Sequence, residues 1–125
     1  MKRLHLNLPM AVEALSALAQ ESRLAVFRLL VRAGPEGLPA GEIAQEVGVR
    51  PNTLSTHLTI LGHAGLVRSR RDGRSIIYTA DYGGMRELLG FLMEDCCAGR
   101  PEICAPLAEI ASRAGCCTEM EQTEA

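Results

Sequence analysis

"EIAQEVGVRPNTLSTHLTILGHAGLV", residues 42–67, decides the fold. Ile43, Ala44 and Val47 recur at helical spacing up to Gly48, and a second apolar row, Leu54, Leu58 and Leu61, restarts behind Pro51. Glycine just past a helix end takes the left-handed backbone that closes the helix. Proline just inside the next one gives up an N–H that has no partner there anyway. Two helices joined by so short a glycine-containing turn form a helix-turn-helix, whose second helix is built to enter a major groove.

Upstream, "PMAVEALSALAQ" (9–20) reads as an Ala/Leu-rich helix started by Pro9. "ESRLAVFRLLVRAG" (21–34) repeats apolar residues at 24, 27, 30 and 31 before Gly34-Pro35 stops it. Downstream, "LVRSRRDGRSIIYTA" (66–80) changes to β-branched and aromatic residues around Asp72-Gly73, the signal for a two-residue hairpin turn. That turn sets Arg71 opposite Arg74 with Arg70 beside them. Like charges so placed repel, and an anionic partner relieves them. "GGMRELLGFLMEDCCAG" (83–99) carries a wide apolar stripe at 85, 88, 89, 92, 93 and 96, which needs a partner surface. With the first helix it can form a two-fold interface, as a dimer reading a palindrome requires. The fold class is therefore mainly α with a small β-hairpin, a winged helix-turn-helix paired through its first and last helices.

The chain has 125 residues, enough for about one domain. Its organisation is read as a DNA-binding and dimerisation domain over 1–98, a cysteine-bearing extension over 99–117 and an acidic, disordered tail over 118–125. No stretch of about eighteen apolar residues is present, which points to a soluble, cytoplasmic protein without a membrane partner. The net charge of −2 conceals an asymmetry. Residues 1–80 hold ten Lys/Arg against six Asp/Glu, and residues 81–125 hold three against nine. Between Arg50 and Arg74 stand five arginines and one acid, a surface suited to phosphates.

All five cysteines fall in the last thirty residues, an odd number without the spacing of a disulfide framework. "MEDCCAGRPEIC" (93–104) concentrates three of them. Neighbouring residues on a helix point about 100° apart, so Cys96 and Cys97 converge only where the helix frays, and Gly99 with Pro101 supplies the stop and turn. Cys96 alone continues the apolar stripe and would pass for a small buried hydrophobe, but Cys97 and Cys104 do not fit that account. Cys116-Cys117 is a second vicinal pair, and its role stays open as an accessory sulfur, a separate site or neither.

Taken together, the helix order, Ser55-Thr56-His57-Leu58, Ala64-Gly65-Leu66-Val67, Gly73 and Tyr78 resemble the ArsR/SmtB family of winged-helix metal-sensing repressors over roughly residues 8–98. The resemblance implies a homodimer on palindromic operator double-stranded DNA that is released by an inducer. Read from the residues, burial of Leu54, Leu58 and Leu61 turns Asn52, Thr56, Thr59 and His63 outward, with Thr53 and Ser55 flanking. Base contacts then fall to Asn52, Thr53, Ser55 and Thr56 near the helix N-terminus. His57 lies nearer the buried stripe and suits packing or a phosphate contact better than a base. Arg70, Arg71 and Arg74 hold phosphates or enter the minor groove.

The family's arsenic site ahead of the recognition helix needs Cys-x-Cys, and Pro39 and Gly41 stand there. Its last-helix zinc site needs histidines, and the chain's only ones are His5, His57 and His63. Cys96, Cys97 and Cys104 are similar in placement to members that sense trivalent arsenic or antimony through three C-terminal thiolates, ligands that select soft ions. A redox-sensing repressor, a four-sulfur cadmium, lead or zinc sensor and, more remotely, a thiol reductase are the other readings. An enzyme is not expected, because the thiols follow Glu94 and Asp95 at a helix end, where a thiolate gains no activation.

Overall fold

The computed structural model describes residues 6–93. It divides into a unit spanning residues 1–91 and another spanning 92–125, and of the second only Leu92 and Met93 are described. The expected extension over 99–117, the tail over 118–125 and all five cysteines lie outside the described residues.

Helix α1 (Leu8–Leu18) starts at Asn7, whose side-chain oxygen accepts the Met10 N–H at 2.9 Å, a cap the sequence reading did not use. Helix α2 (Glu21–Ala33) is capped in the same way by Gln20, which accepts the Arg23 N–H at 2.9 Å. The Arg23 Nε also donates to the Ala17 carbonyl at 2.7 Å, satisfying an acceptor left over at the end of α1. A 3₁₀ turn (Gly34–Glu36) leads to a two-residue strand β1 (Leu38–Pro39) and helix α3 (Ala40–Val47). Gly48 closes α3 in the left-handed region, and helix α4 (Pro51–His63) begins three residues after it with Pro51 in the first turn. The helix-turn-helix is therefore as its punctuation indicates.

Val26, Leu30, Ile43, Leu54, Leu61 and Leu66 are fully buried and join α2, α3, α4 and the start of the hairpin in one core. On α2 the inward row is Val26, Phe27 and Leu30, while Leu24, expected inside, is exposed. Leu24 lies one helical turn from Phe27, but the apolar stripe of α2 is wider than the contact, and the neighbouring helices take the Val26 side of it.

Strands β2 (Val67–Asp72) and β3 (Ser75–Ala80) form the wing, and β1 pairs with the other edge of β3, giving the antiparallel order β1-β3-β2. Arg71 pairs with Ile76, Arg70 with Ile77 and Asp72 with Ser75. The two-residue turn is thus Gly73-Arg74, one position later than expected, so Arg71 does not face Arg74. The left-handed backbone, φ +65° at Gly73, occupies the first central position of the turn, where both favoured hairpin turns need it. Helix α5 (Tyr82–Met93) follows at once. Asp81 accepts the Gly84 N–H at 3.0 Å and Tyr82 donates its hydroxyl to the Val31 carbonyl at 3.1 Å. Gly84 lies so close to the Gly65 carbonyl that a Cβ there has no room.

Helix α1 is amphipathic in an unusual sense. Its small residues Ala11, Ala14 and Ala17 face the core, while the larger Leu8, Met10, Val12 and Leu15 are exposed. Leu89 of α5 is exposed as well.

Candidate nucleic-acid interface

The apolar row Leu54, Leu58 and Leu61 anchors α4 in the core and leaves Asn52, Thr53, Ser55, Thr56, Thr59 and His63 exposed. The four expected base-reading side chains therefore share one accessible surface over the first two turns of the helix. The helix has no acidic residue, and Arg50 precedes it. Its N-terminal N–H groups and partial positive charge add to the attraction for phosphate. Two members of the set are engaged locally. The Asn52 side-chain oxygen accepts the Thr53 N–H at 2.9 Å, and the Thr56 hydroxyl donates to the Asn52 carbonyl at 3.4 Å. The Thr53 and Ser55 hydroxyls make no such bond and are free to meet a base edge.

His57 differs from the others: it is 7% exposed, and its Nδ1 has no hydrogen-bond partner. Burial, followed by the positive charge of Arg23, pushes its pKa below the ordinary 6.5. The imidazole is neutral at pH 7 and turned inward, so it packs the recognition helix against the core and offers no charged hold on a phosphate.

In the wing, Arg68, Arg71 and Arg74 are exposed. Arg68 was not among the expected site residues, yet the strand period puts it on the same face as Arg70, two residues away, which the alternation rule could have shown. Arg70 is exposed as well but, unlike the others, is engaged in hydrogen bonds. Its two terminal nitrogens donate to the carbonyls of Pro35, at 3.4 Å, and Glu36, at 3.1 Å, in the turn before α3. The polar face of α4 and the three free guanidinium groups of the wing, Arg68 and Arg71 on opposite faces of the strand and Arg74 in the turn, suit a double helix read at base edges and held at its phosphates.

Among the described residues, no group of three or more His, Cys, Asp or Glu is arranged to hold a metal ion. Cys96, Cys97, Cys104, Cys116 and Cys117 lie outside them. No helix among the described residues is long and apolar enough to cross a membrane.

A helix-turn-helix domain family matches residues 18–70. The nodulation protein NolR of Rhizobium meliloti is 33% identical over 90 residues, covering 72% of this chain and 71% of that protein. Other regulators are matched over about half to nearly nine tenths of their length. Among solved structures, the homodimeric winged helix-turn-helix domain of a possible ArsR-family transcriptional regulator from Mycobacterium bovis superposes with a TM-score of 0.57. It is 28% identical, over 72% of this chain and 79% of that one. A possible transcriptional regulator for arsenical resistance also gives 0.57, at 29% identity over 64% of this chain and 80% of that one. With its winged helix-turn-helix architecture and these relatives, the chain belongs to the ArsR/SmtB family of winged-helix transcriptional regulators.

Proposed function

We propose that the chain is a homodimeric repressor that leaves its operator when trivalent arsenic or antimony binds Cys96, Cys97 and Cys104. The observation that carries the DNA-binding half is the exposed set Asn52, Thr53, Ser55 and Thr56 beside Arg68, Arg71 and Arg74. Pairing is supported by α1, which buries its alanines and exposes Leu8, Val12 and Leu15, positions that form one stripe at helical spacing. A second copy supplies the apolar cover that this stripe lacks within one protomer, and the homodimeric relative makes that choice of partner natural.

The inducer half rests on donor chemistry. Three thiolates within nine residues favour a soft, pyramidal ion, and the similarity to a possible transcriptional regulator for arsenical resistance agrees with that choice. Ligation ties the segment after α5 to a new geometry and biases the dimer away from the spacing that fits successive major grooves. Coupling of about 1–3 kcal/mol, or roughly 5–150-fold in DNA affinity, is the usual scale of such linkage. Thiols must lose protons to bind, so induction weakens as pH falls.

Operator release by the wild type and by Cys97→Ser, titrated with arsenite, antimonite, cadmium, zinc and peroxide, tests the assignment. Arsenite or antimonite frees the DNA from the wild type only. Release by peroxide alone identifies a redox sensor, and release by cadmium or zinc alone identifies a four-sulfur site that recruits Cys116 or Cys117.

A further inference from the structure

Arg70 carries the same charge as its neighbours but does something different with it. The carbonyls it meets belong to the end of the 3₁₀ turn Gly34–Glu36, thirty-four and thirty-five residues back in the chain. Helix and turn ends leave such acceptors without partners, and a guanidinium offers two parallel donors that a single ammonium cannot match. The strand register places Arg70 on the side of the sheet where its partner Ile77 is buried, so the reach to the turn crosses that buried position.

An independent contact ties the same two segments. Gly37 follows the turn with φ +70°, and a Cβ there would collide with the Tyr78 carbonyl and the Thr79 and Ile77 side chains of β3. Immediately beyond it, Leu38 and Pro39 pair with Tyr78 and Ile77. The turn that launches α3 is thus seated on β3 and also held by Arg70 of the neighbouring strand β2, from the face that Ile77 and Thr79 share.

We propose that Arg70 is a positioning residue of the wing and not one of its phosphate ligands. By holding the Pro35 and Glu36 carbonyls, it fixes the hairpin relative to the helix-turn-helix, so that Arg71 and Arg74 meet the DNA backbone at a set distance from α4. The role rests on the DNA-binding reading above and adds a division of labour among three arginines of equal charge.

The test compares the full-length wild type with Arg70→Ala, Arg70→Lys and Arg71→Ala. Amide hydrogen exchange of the free protein reads the tether itself. Exchange at Gly37, Leu38 and residues 76–79 accelerates several-fold in both Arg70 variants and stays at the wild-type rate in Arg71→Ala. Binding of labelled mixed-sequence duplex DNA across salt concentrations reads the consequence. Losing a phosphate ligand flattens the slope of log K against log salt by about 0.9 per contact, so Arg71→Ala lowers affinity and slope together. Both Arg70 variants lower affinity while keeping the wild-type slope.

Unchanged exchange in Arg70→Ala overturns the proposal. So does an Arg70→Ala slope flattened like that of Arg71→Ala, or full affinity restored by Arg70→Lys, because each assigns Arg70 to charge and not to bridging. If no form binds DNA, the functional reading fails and the positioning role falls with it, whereas altered binding without altered exchange removes the tether alone.

Discussion

Val12→Glu in α1 offers a direct measure of pairing. Leu8, Val12 and Leu15 are 65%, 53% and 41% exposed in the protomer, together roughly one and a half whole side chains of apolar surface still facing water. At about 1.5–3 kcal/mol per fully buried side chain, covering this stripe contributes about 2–5 kcal/mol per protomer, and the two-fold axis doubles it. Part of that gain is offset by the entropy lost on association. Glutamate at position 12 removes the valine contribution from both copies and places two carboxylates in an apolar seam, where each must stay hydrated or be neutralised at a cost of a few kcal/mol. The dimer dissociation constant should rise at least about 100-fold, equivalent to about 2.7 kcal/mol. Sedimentation equilibrium across the micromolar range reads this shift, with Gln45→Glu on the exposed side of α3 as a control that leaves it unchanged. Val12 is half exposed in one protomer, and glutamate is the better helix former, so circular dichroism should show α1 intact. A Val12→Glu protein as dimeric as the wild type would refute the assignment of this face.

Gly84→Ala and Gly90→Ala lie on the same helix and should have opposite effects. Gly90 has open space around its Cα and gains up to about 1 kcal/mol from alanine's helix propensity, whereas Gly84 must back away from the Gly65 carbonyl at a cost of about 1–3 kcal/mol. Thermal melts that give the two variants equal stability would contradict the close packing. The depressed pKa of His57 means that the unfolded chain binds the proton more readily, so stability is full above pH 6.5 and declines as pH falls below it. Melting temperatures at pH 7.5 and 5.5 should therefore differ more for the wild type than for His57→Gln, and an equal difference would remove His57 from the account. Ser55→Ala should narrow the gap between operator and random DNA, by up to about 1–3 kcal/mol if its base contact is a good one, while leaving the salt slope unchanged. Equal weakening on both DNAs would reassign it to the backbone.

The helix-turn-helix was legible because its signals are short-range. Gly48, Pro51 and the Leu54-Leu58-Leu61 row act within one or two helical turns, and the outward set on α4 follows from that row alone. The change of period after Leu66 likewise announced a hairpin. His57 was placed nearer the core than the groove by the same geometry, and its burial agrees.

Tertiary structure decided what local patterns leave degenerate. Asp72-Gly73-Arg74 accommodates a turn centred on either pair, and pairing along six residues of β2 and β3 selected Gly73-Arg74. A helix such as α1, with alanines on one stripe and larger residues on the next, is amphipathic whichever side faces in; close approach to its neighbours chose the alanines. β1 has two residues and no pattern of its own, so only the edge of β3 makes it a strand. Arg70 shows the same limit in one side chain. Sequence fixes its charge and its place on a strand, but the acceptors it reaches lie thirty-four and thirty-five residues away, and only the folded chain brings them within hydrogen-bonding distance.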